Sequence, residues 1–286
     1  MILVTGARGV VGKPLCKRLT DDNANFIALS RQSVDSFDQL QWNLTQVPST
    51  EVLERLAQVS SVVHCAPIWL LPPHLPLFGK LGIQRLVVFS STSVLSKQSS
   101  GNQHEQALVN QLRSAEEALL EHCEQSNVQL TILRPSLIYG YGLDQNVSHI
   151  ASFIRRFGFM LLVGKATGLR QPVHADDLVQ VALNCLQIDE PNQLIYTVSG
   201  KDQISYRDMV KCIFNGLGRK PIIISIPLWL FRPALVVAAK LGSFSYTPEM
   251  ADRMNQDLNY DYSDAANDLS FSPQGFLEQP ERDLLL

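Results

Sequence analysis

The stretch Met1-Ile-Leu-Val-Thr-Gly-Ala-Arg-Gly-Val-Val-Gly12 opens the chain and sets the reading of everything after it. Ile2 to Val4 are consecutive apolar residues, the pattern of a short buried strand. Thr5-Gly6 starts a turn, and the residues after Gly9 begin a helix. Gly6, Gly9 and Gly12 stand three apart in T-G-x-x-G-x-x-G. In such a loop, backbone N–H groups and the positive end of the helix dipole point at one place, which suits a pyrophosphate. Glycine permits the turn, the close approach of a ligand and tight packing of helix on strand. Gly6, Ala7, Arg8, Gly9, Val10, Val11 and Gly12 are therefore the first candidate binding residues. The spacing alone also fits a ligand-free turn. Its place between a strand and a helix favours the nucleotide. A loop this close to residue 1 leaves no length for a signal peptide, so a cytoplasmic protein is expected.

Downstream, short apolar runs alternate with helical patterns. Strands are expected at Phe26–Leu29, Trp42–Leu44, Val62–Cys65, Leu86–Ser90, Gln129–Leu133 and Leu194–Val198. Helices are expected up to about Leu19, over Val52–Gln58, within Leu75–Leu81, over Gln106–Glu124 and over Asp176–Leu186. This alternation implies right-handed crossovers and a doubly wound α/β fold with a parallel sheet. Residues 1–198 form the expected NAD(P)-binding Rossmann domain. Residues 199–286 form a smaller C-terminal α/β substrate or lid domain, with parts of 140–172 contributing to the substrate side.

Composition narrows the classes. A net charge of −3 gives no basic footprint for nucleic acid. Five dispersed cysteines form no C-x-x-C pair, and with six scattered histidines they suggest reduced thiols and no metal site. The apolar segment Ile222–Leu241 is broken by Pro227, Arg232, Pro233 and Lys240. It fits a buried strand at Ile222–Ile226 followed by a helix better than a membrane span, which needs roughly 20 uninterrupted apolar residues.

The end of the second strand bears on the cofactor. An acid there would hold a ribose 2′-hydroxyl, whereas an arginine suits a 2′-phosphate. The residues are Ala28-Leu-Ser30-Arg31, with no acid. A guanidinium pairs with phosphate through two hydrogen bonds, Ser30 adds a hydroxyl, and Arg8 adds a second charge. NADP(H) is expected over NAD(H), the other reading being that Arg31 is a solvated surface residue.

Five stretches in order make the chain resemble the short-chain dehydrogenase/reductase superfamily, in its extended or atypical branch of NAD-dependent epimerases/dehydratases. They are Thr5-Gly-Ala-Arg-Gly-Val-Val-Gly12, Val62-Val-His-Cys-Ala-Pro67, Val87-Val-Phe-Ser-Ser-Thr-Ser-Val94, Leu133-Arg-Pro-Ser-Leu-Ile-Tyr-Gly140 and Val173-His-Ala-Asp-Asp-Leu178. Arg253-Met through Asp257-Leu, with Ala265, resembles the tail of bacterial sugar-nucleotide epimerase-like proteins. The resemblance implies that Asn43 and Leu44 meet adenine, with Asn43 replacing the usual acid. It implies that Cys65, Ala66 and Pro67 line the ribose–nicotinamide side. Ser91 then lies near the nicotinamide, and Pro135 and Ser136 close that pocket.

The resemblance also implies a Ser or Thr after the fifth strand and a Tyr-x-x-x-Lys pair on the next helix. There the tyrosine acts as acid/base, and the lysine lowers its pKa and holds the ribose. Ser91 fits the serine. No tyrosine occurs before Tyr139, and the best register puts Val109 at the tyrosine and Arg113 at the lysine. Val109 cannot move a proton. Arg113 can bind ribose or phosphate or stabilise negative charge, but is a poor shuttle.

Three readings follow. One is an oxidoreductase or epimerase/dehydratase-like enzyme with a displaced acid/base, such as Tyr139, Tyr141, His174 or a substrate group. It would pass a hydride to or from a carbonyl or carbinol, and the tail resemblance suggests a sugar nucleotide. Another is a non-catalytic NADP-binding sensor, and the third a scaffold that binds little. Glu116 and Glu117 are expected to face solvent or pair with Arg113. Asp176 and Asp177 read as helix-capping acids, and Cys65 as an inert buried thiol. Trp69 to Leu71 with Pro72-Pro73 form an apolar loop suited to a pocket or subunit contact. No nucleic acid or membrane partner is expected. A homodimer on the Gln106–Glu124 helix is common in the resembled family.

Overall fold

The computed structural model describes residues 1–32, 37–98, 100–126, 128–188, 194–227 and 253–284. The first elements are β1 (Ile2–Thr5), α1 (Gly12–Asp21), β2 (Phe26–Ser30), β3 (Gln39–Gln41), α2 (Thr50–Leu56) and β4 (Ser61–His64). Short 3-10 turns at Ile68–Leu70 and Pro72–His74 lead into α3 (Leu75–Lys80). Next come β5 (Arg85–Phe89), α4 (Ser93–Ser96), α5 (Gln103–Ser126), β6 (Gln129–Pro135), β7 (Ile138–Tyr139), α6 (Val147–Phe157) and β8 (Met160–Val163). The chain continues through β9 (Leu169–Arg170), β10 (Val173–His174), α7 (Ala175–Cys185), β11 (Ile195–Val198), β12 (Ile204–Ser205), α8 (Tyr206–Gly216) and β13 (Ile223–Ile226). Further helices cover Ser263–Leu269 and Pro280–Asp283.

Two compact units result. Unit 1 holds Met1–Pro135, Ala175–Val198 and Asp261–Ser272, and unit 2 holds Ser136–His174, Ser199–Tyr260 and Pro273–Leu286. The cut expected at 198/199 is one of several crossings. Residues 136–174 leave the first unit, and Asp261–Ser272 returns to it, because the Ser263–Leu269 helix packs on β11 and α7.

Unit 1 is built on a seven-stranded sheet in the order β11-β6-β5-β4-β1-β2-β3. Every pairing in it is parallel. The strand order reverses at β1, which lies between β2 and β4, and such a switch point opens a crevice at the carboxyl ends of the strands. β2 is buried throughout, and only the first residues of β1 and β4 are partly exposed, as expected of strands covered on both faces. α5 buries Val109, Leu112, Ala115, Glu116, Leu119 and Cys123, a stripe at helical spacing. The third strand lies upstream of Trp42–Leu44. Trp42 and Leu44 instead fill the core from the loop after β3, and the Trp42 N–H bonds Ser30 O at 3.1 Å.

Unit 2 contains three two-stranded ladders, β7 with β10, β8 with β13, and β9 with β12. Its core gathers Tyr139, Ile150, Ile154, Met160, Leu162, Met209, Ile213 and Phe214. Buried Arg170 donates to Leu169 O at 2.7 Å and to Gln256 O at 2.9 Å, and its guanidinium lies over the Tyr206 ring. These bonds draw residues 253–257 onto β9. The strand expected at Ile222–Ile226 forms, but it is not buried: Ile222 and Ile224 are 55% and 49% exposed. The helix expected after it lies outside the described residues. Among the described residues, no helix is long and apolar enough to cross a membrane.

Candidate functional site: a dinucleotide cradle at the switch point

The glycine loop joins β1 to α1 at the reversal of strand order. Gly6 has φ +65°, and a β-carbon there would stand 2.7 Å from Ala66 N and 2.8 Å from Cys65 O. A β-carbon on Gly12 would run into Gly6 O. The Gly9 N–H donates to Gly6 O at 2.8 Å, and the Lys13 N–H donates to Gly9 O at 3.0 Å. α1 starts at Gly12 with Val11 at its N-cap and no side-chain cap. Its positive end is thus not answered by a polar side chain of the chain itself. Ala7 and Val11 are buried, Val10 is partly buried, and Arg8 and Gly9 are exposed. These features fit a pyrophosphate held by backbone N–H groups.

Buried histidines brace the cradle. His64, at the end of β4, is fully enclosed. Its Nε2 lies 3.2 Å from Pro67 O, which can only accept, so Nε2 carries the proton. Nδ1 then accepts from Thr5 Oγ1 at 2.8 Å. Burial pushes the His64 pKa down to about 4, against the Pro67 bond, with nearby His74 adding to the lowering. His64 is therefore a neutral pin between the residue before Gly6 and the segment after β4. Desolvation also raises the Cys65 pKa, which keeps the thiol protonated, and the residue is partly rather than fully buried, short of the buried thiol expected from the sequence.

At the end of β2, Ser30 is buried, and its hydroxyl donates to Gln32 O and accepts from Gln39 Nε2 at 3.3 Å. Arg31 is exposed, and exposed Arg8 donates to the Gln32 side chain. The carboxylate nearest in sequence among the described residues, Asp38, is paired with Arg55 at 2.6 Å. In the loop after β3, Asn43 Oδ1 accepts from the Thr45 N–H at 3.2 Å. Leu44 is buried, and its carbonyl accepts from His74 Nε2 at 2.7 Å.

After β5, Ser91 Oγ accepts from the Ser93 N–H at 3.1 Å, which leaves its own O–H to donate elsewhere. Thr92 is spent on Pro135 O at 3.1 Å. Ser136 donates to Gln171 O. Pro67 is exposed and Ala66 partly so. On α5, Val109 is buried and Arg113 is exposed.

The sequence reading of Glu116 is corrected. Glu116 does not face solvent or pair with Arg113. It is 3% exposed and takes a two-pronged bond from Arg134, with Nε to Oε1 at 2.9 Å and Nη2 to Oε2 at 2.5 Å. Ser90 Oγ donates to the same Oε1. The signal was present in the sequence, since Glu116 falls on the apolar stripe of α5.

In unit 2, Tyr139 is buried. Its hydroxyl donates to Gly275 O at 3.3 Å and accepts from the Leu277 N–H at 3.1 Å, so it holds the fold. Buried His174 meets Asp283 at 2.9 Å and Arg282 at 3.0 Å, and Tyr141 packs on its ring. Asp176 and Asp177 lie in the first turn of α7, where their charge suits the helix dipole.

A doubly wound parallel sheet with an uncapped glycine loop at its switch point defines the class of NAD(P)-binding Rossmann proteins. The family model of the NAD dependent epimerase/dehydratase family matches residues 2–69 and 75–198, and the chain belongs to that family of enzymes. A UDP-glucose 4-epimerase of Vibrio cholerae is 23% identical over 312 aligned residues, covering 97% of this chain and 92% of that one. A Bacillus cereus UDP-glucuronic acid 4-epimerase, solved with UDP-glucuronic acid and NAD, has a TM-score of 0.75 at 16% identity and covers 99% and 97% of the two chains. The UDP-glucose 4-epimerase of Thermotoga maritima, solved with UDP-glucose, has a TM-score of 0.69 at 15% identity, covering 98% and 95%.

Proposed function

We propose that the chain is a nicotinamide-dinucleotide-dependent epimerase or oxidoreductase acting on a sugar nucleotide, with NADP(H) preferred over NAD(H). The observation that carries this is the cradle of Gly6, Gly9 and Gly12, in which Gly6 and Gly12 leave no room for a β-carbon and which ends on a helix with no N-cap side-chain bond. The UDP-sugars named for the Vibrio, Bacillus and Thermotoga proteins support the substrate class.

Gly6 to Gly12 would hold the pyrophosphate, and Asn43 and Leu44 would face the adenine. Cys65, Ala66 and Pro67, with Pro135 and Ser136, would face the ribose–nicotinamide half. Arg8 and Arg31, both exposed, would hold a 2′-phosphate. When bound, the nicotinamide supplies reversible two-electron chemistry at its C4 carbon. Ser91 would donate its O–H to the substrate oxygen. Arg113 would meet ribose or phosphate, and its lasting positive charge would favour developing negative charge.

Val109 in the tyrosine position favours a second reading, a dinucleotide sensor without turnover. The test is titration with NADPH and NADH by fluorescence, then absorbance at the nicotinamide band with the reduced cofactors and a panel of carbonyls and with the oxidised cofactors and UDP-glucose or UDP-glucuronic acid, and product chromatography for epimers. Turnover of any of these supports the enzyme. Cofactor binding without turnover supports the sensor, and absence of binding of NADPH and NADH alike overturns both.

A further inference from the structure

Residues 65–74, which follow β4, carry a buried histidine just before one end and another at the other end, and each imidazole grips a different loop at the carboxyl edge of the sheet. His64 holds Thr5, the residue before the glycine loop. His74 holds Leu44 in the loop after β3, with Nε2 to the carbonyl oxygen at 2.7 Å. That oxygen can only accept, so His74 Nε2 carries the proton in either charge state.

The 43–46 loop is otherwise a short turn. The Gln46 N–H bonds Asn43 O at 2.8 Å, and Trp42 Nε1 donates to Gln46 O at 3.0 Å. The Trp42 and His74 rings meet edge to face with centroids 4.7 Å apart. Among the described residues, the direct side-chain bond to the loop from outside residues 42–46 comes from His74. His74 itself is fixed, since it is 7% exposed and ends the Pro72–His74 turn that runs into α3. Trp42 N–H bonds Ser30 O, so the loop lies beside the end of β2.

We infer that His74 is a positioning residue for the adenine half of the dinucleotide: its Nε2–H fixes the Leu44 peptide, and thereby orders the 43–46 loop that receives the base. The inference rests on the dinucleotide reading of the glycine loop. His74 touches no part of the ligand and acts through the loop. The apolar loop of Trp69 to Leu71 and Pro72-Pro73, which the sequence offered as a pocket or subunit contact, thereby gains a role as the strap that carries His74. A binding site whose loop is ordered in advance loses less entropy when the ligand arrives.

The test compares wild type, His74→Phe and His74→Gln in the full chain. Phenylalanine keeps the ring packing on Trp42 and Phe78 but removes the donor, whereas glutamine keeps an N–H. NADPH affinity is read by fluorescence, 2′-phospho-ADP-ribose affinity by competition, and backbone amide exchange by mass spectrometry. His74→Phe is expected to weaken both ligands about tenfold, the worth of one ordered hydrogen bond. It should speed exchange at residues 43–46 and leave β1 and β4 unchanged. His74→Gln should recover most of the affinity. NADPH binding by His74→Phe at wild-type affinity overturns the inference and leaves the dinucleotide reading standing. Equal weakening by His74→Gln and His74→Phe also overturns it. A wild-type chain that binds neither NADPH nor NADH overturns the dinucleotide reading and this inference with it.

Discussion

Gly6 and Ala66 touch backbone to backbone: a β-carbon on Gly6 would lie 2.7 Å from Ala66 N. The contact locks the phosphate loop against the segment after β4, and the positive φ of Gly6 adds a second reason for glycine. Gly6→Ala is expected to cost at least about 2 kcal/mol from the left-handed backbone and the clash together. Gly12→Ala drives a methyl into Gly6 O and should abolish NADPH binding. Urea denaturation reads the first effect, and NADPH fluorescence titration reads the second. NADPH affinity of Gly12→Ala equal to wild type would remove the cradle from the binding site.

The proposed preference for NADP(H) rests on the end of β2. Residues 28–32 carry no acid, Arg31 is exposed, and exposed Arg8 donates to the Gln32 side chain. Arg31→Ala is expected to weaken NADPH about tenfold, on the scale of a charge-assisted phosphate bond, and to leave NADH within about twofold. Parallel titrations with NADPH and NADH check this, and equal losses for the two cofactors would contradict a 2′-phosphate contact.

His64 makes stability depend on pH. Its folded pKa is lowered from 6.5 to about 4, so the folded state favours the neutral ring. The contribution is complete above pH 6.5, where the unfolded ring is also neutral. It shrinks as pH falls from 6.5 toward 4, because the unfolded chain binds the proton first. The total is about 3 kcal/mol. Urea midpoints of the wild type should fall over this window, whereas His64→Gln, less stable at pH 8, should show a shallower fall. Parallel curves for the two proteins would exclude His64 as the titrating group.

Glu116 and Arg134 form a nearly enclosed pair, with side chains 4% and 19% exposed. Arg134→Met removes the cation and strands a buried carboxylate. The expected loss is about 3 kcal/mol. Glu116→Gln in the same chain removes the stranded charge and should recover part of it. Thermal melts of both variants test this, and an additive double variant would mean that the two residues do not couple.

The alternation of strands and helices and the phosphate loop were legible because they are local. Apolar runs, turn residues and the glycine spacing each lie within about a dozen residues. The polar contacts that matter most are not local. Glu116 meets an arginine 18 positions away, and His174 meets Asp283 across 109. Helical spacing made Arg113 the natural partner of Glu116, yet Arg113 lies on the exposed face of α5. A carboxylate on an apolar stripe says that a buried partner exists but not which one. The third strand was misplaced by three residues because Trp42 and Leu44 have the alternation of a strand while packing from a loop.

Ser91 separates binding from chemistry. Its Oγ is held by the Ser93 N–H, which aims the hydroxyl and leaves its proton to donate. In the enzyme reading this donor answers charge that builds on the substrate oxygen, and loss of one such donor typically costs about a hundredfold in rate. Ser91→Ala is therefore expected to lower kcat about a hundredfold on the sugar nucleotide that is turned over, with the Kd for NADPH within about twofold of wild type. Arg113→Ala should raise the NADPH Kd if the guanidinium meets ribose or phosphate. Single-turnover absorbance at the nicotinamide band, with the Kd measured on the same preparations, separates the two effects. A Ser91→Ala protein with wild-type kcat would take the serine out of the reaction, and the proton and charge handling would then have to come from the substrate or from another residue.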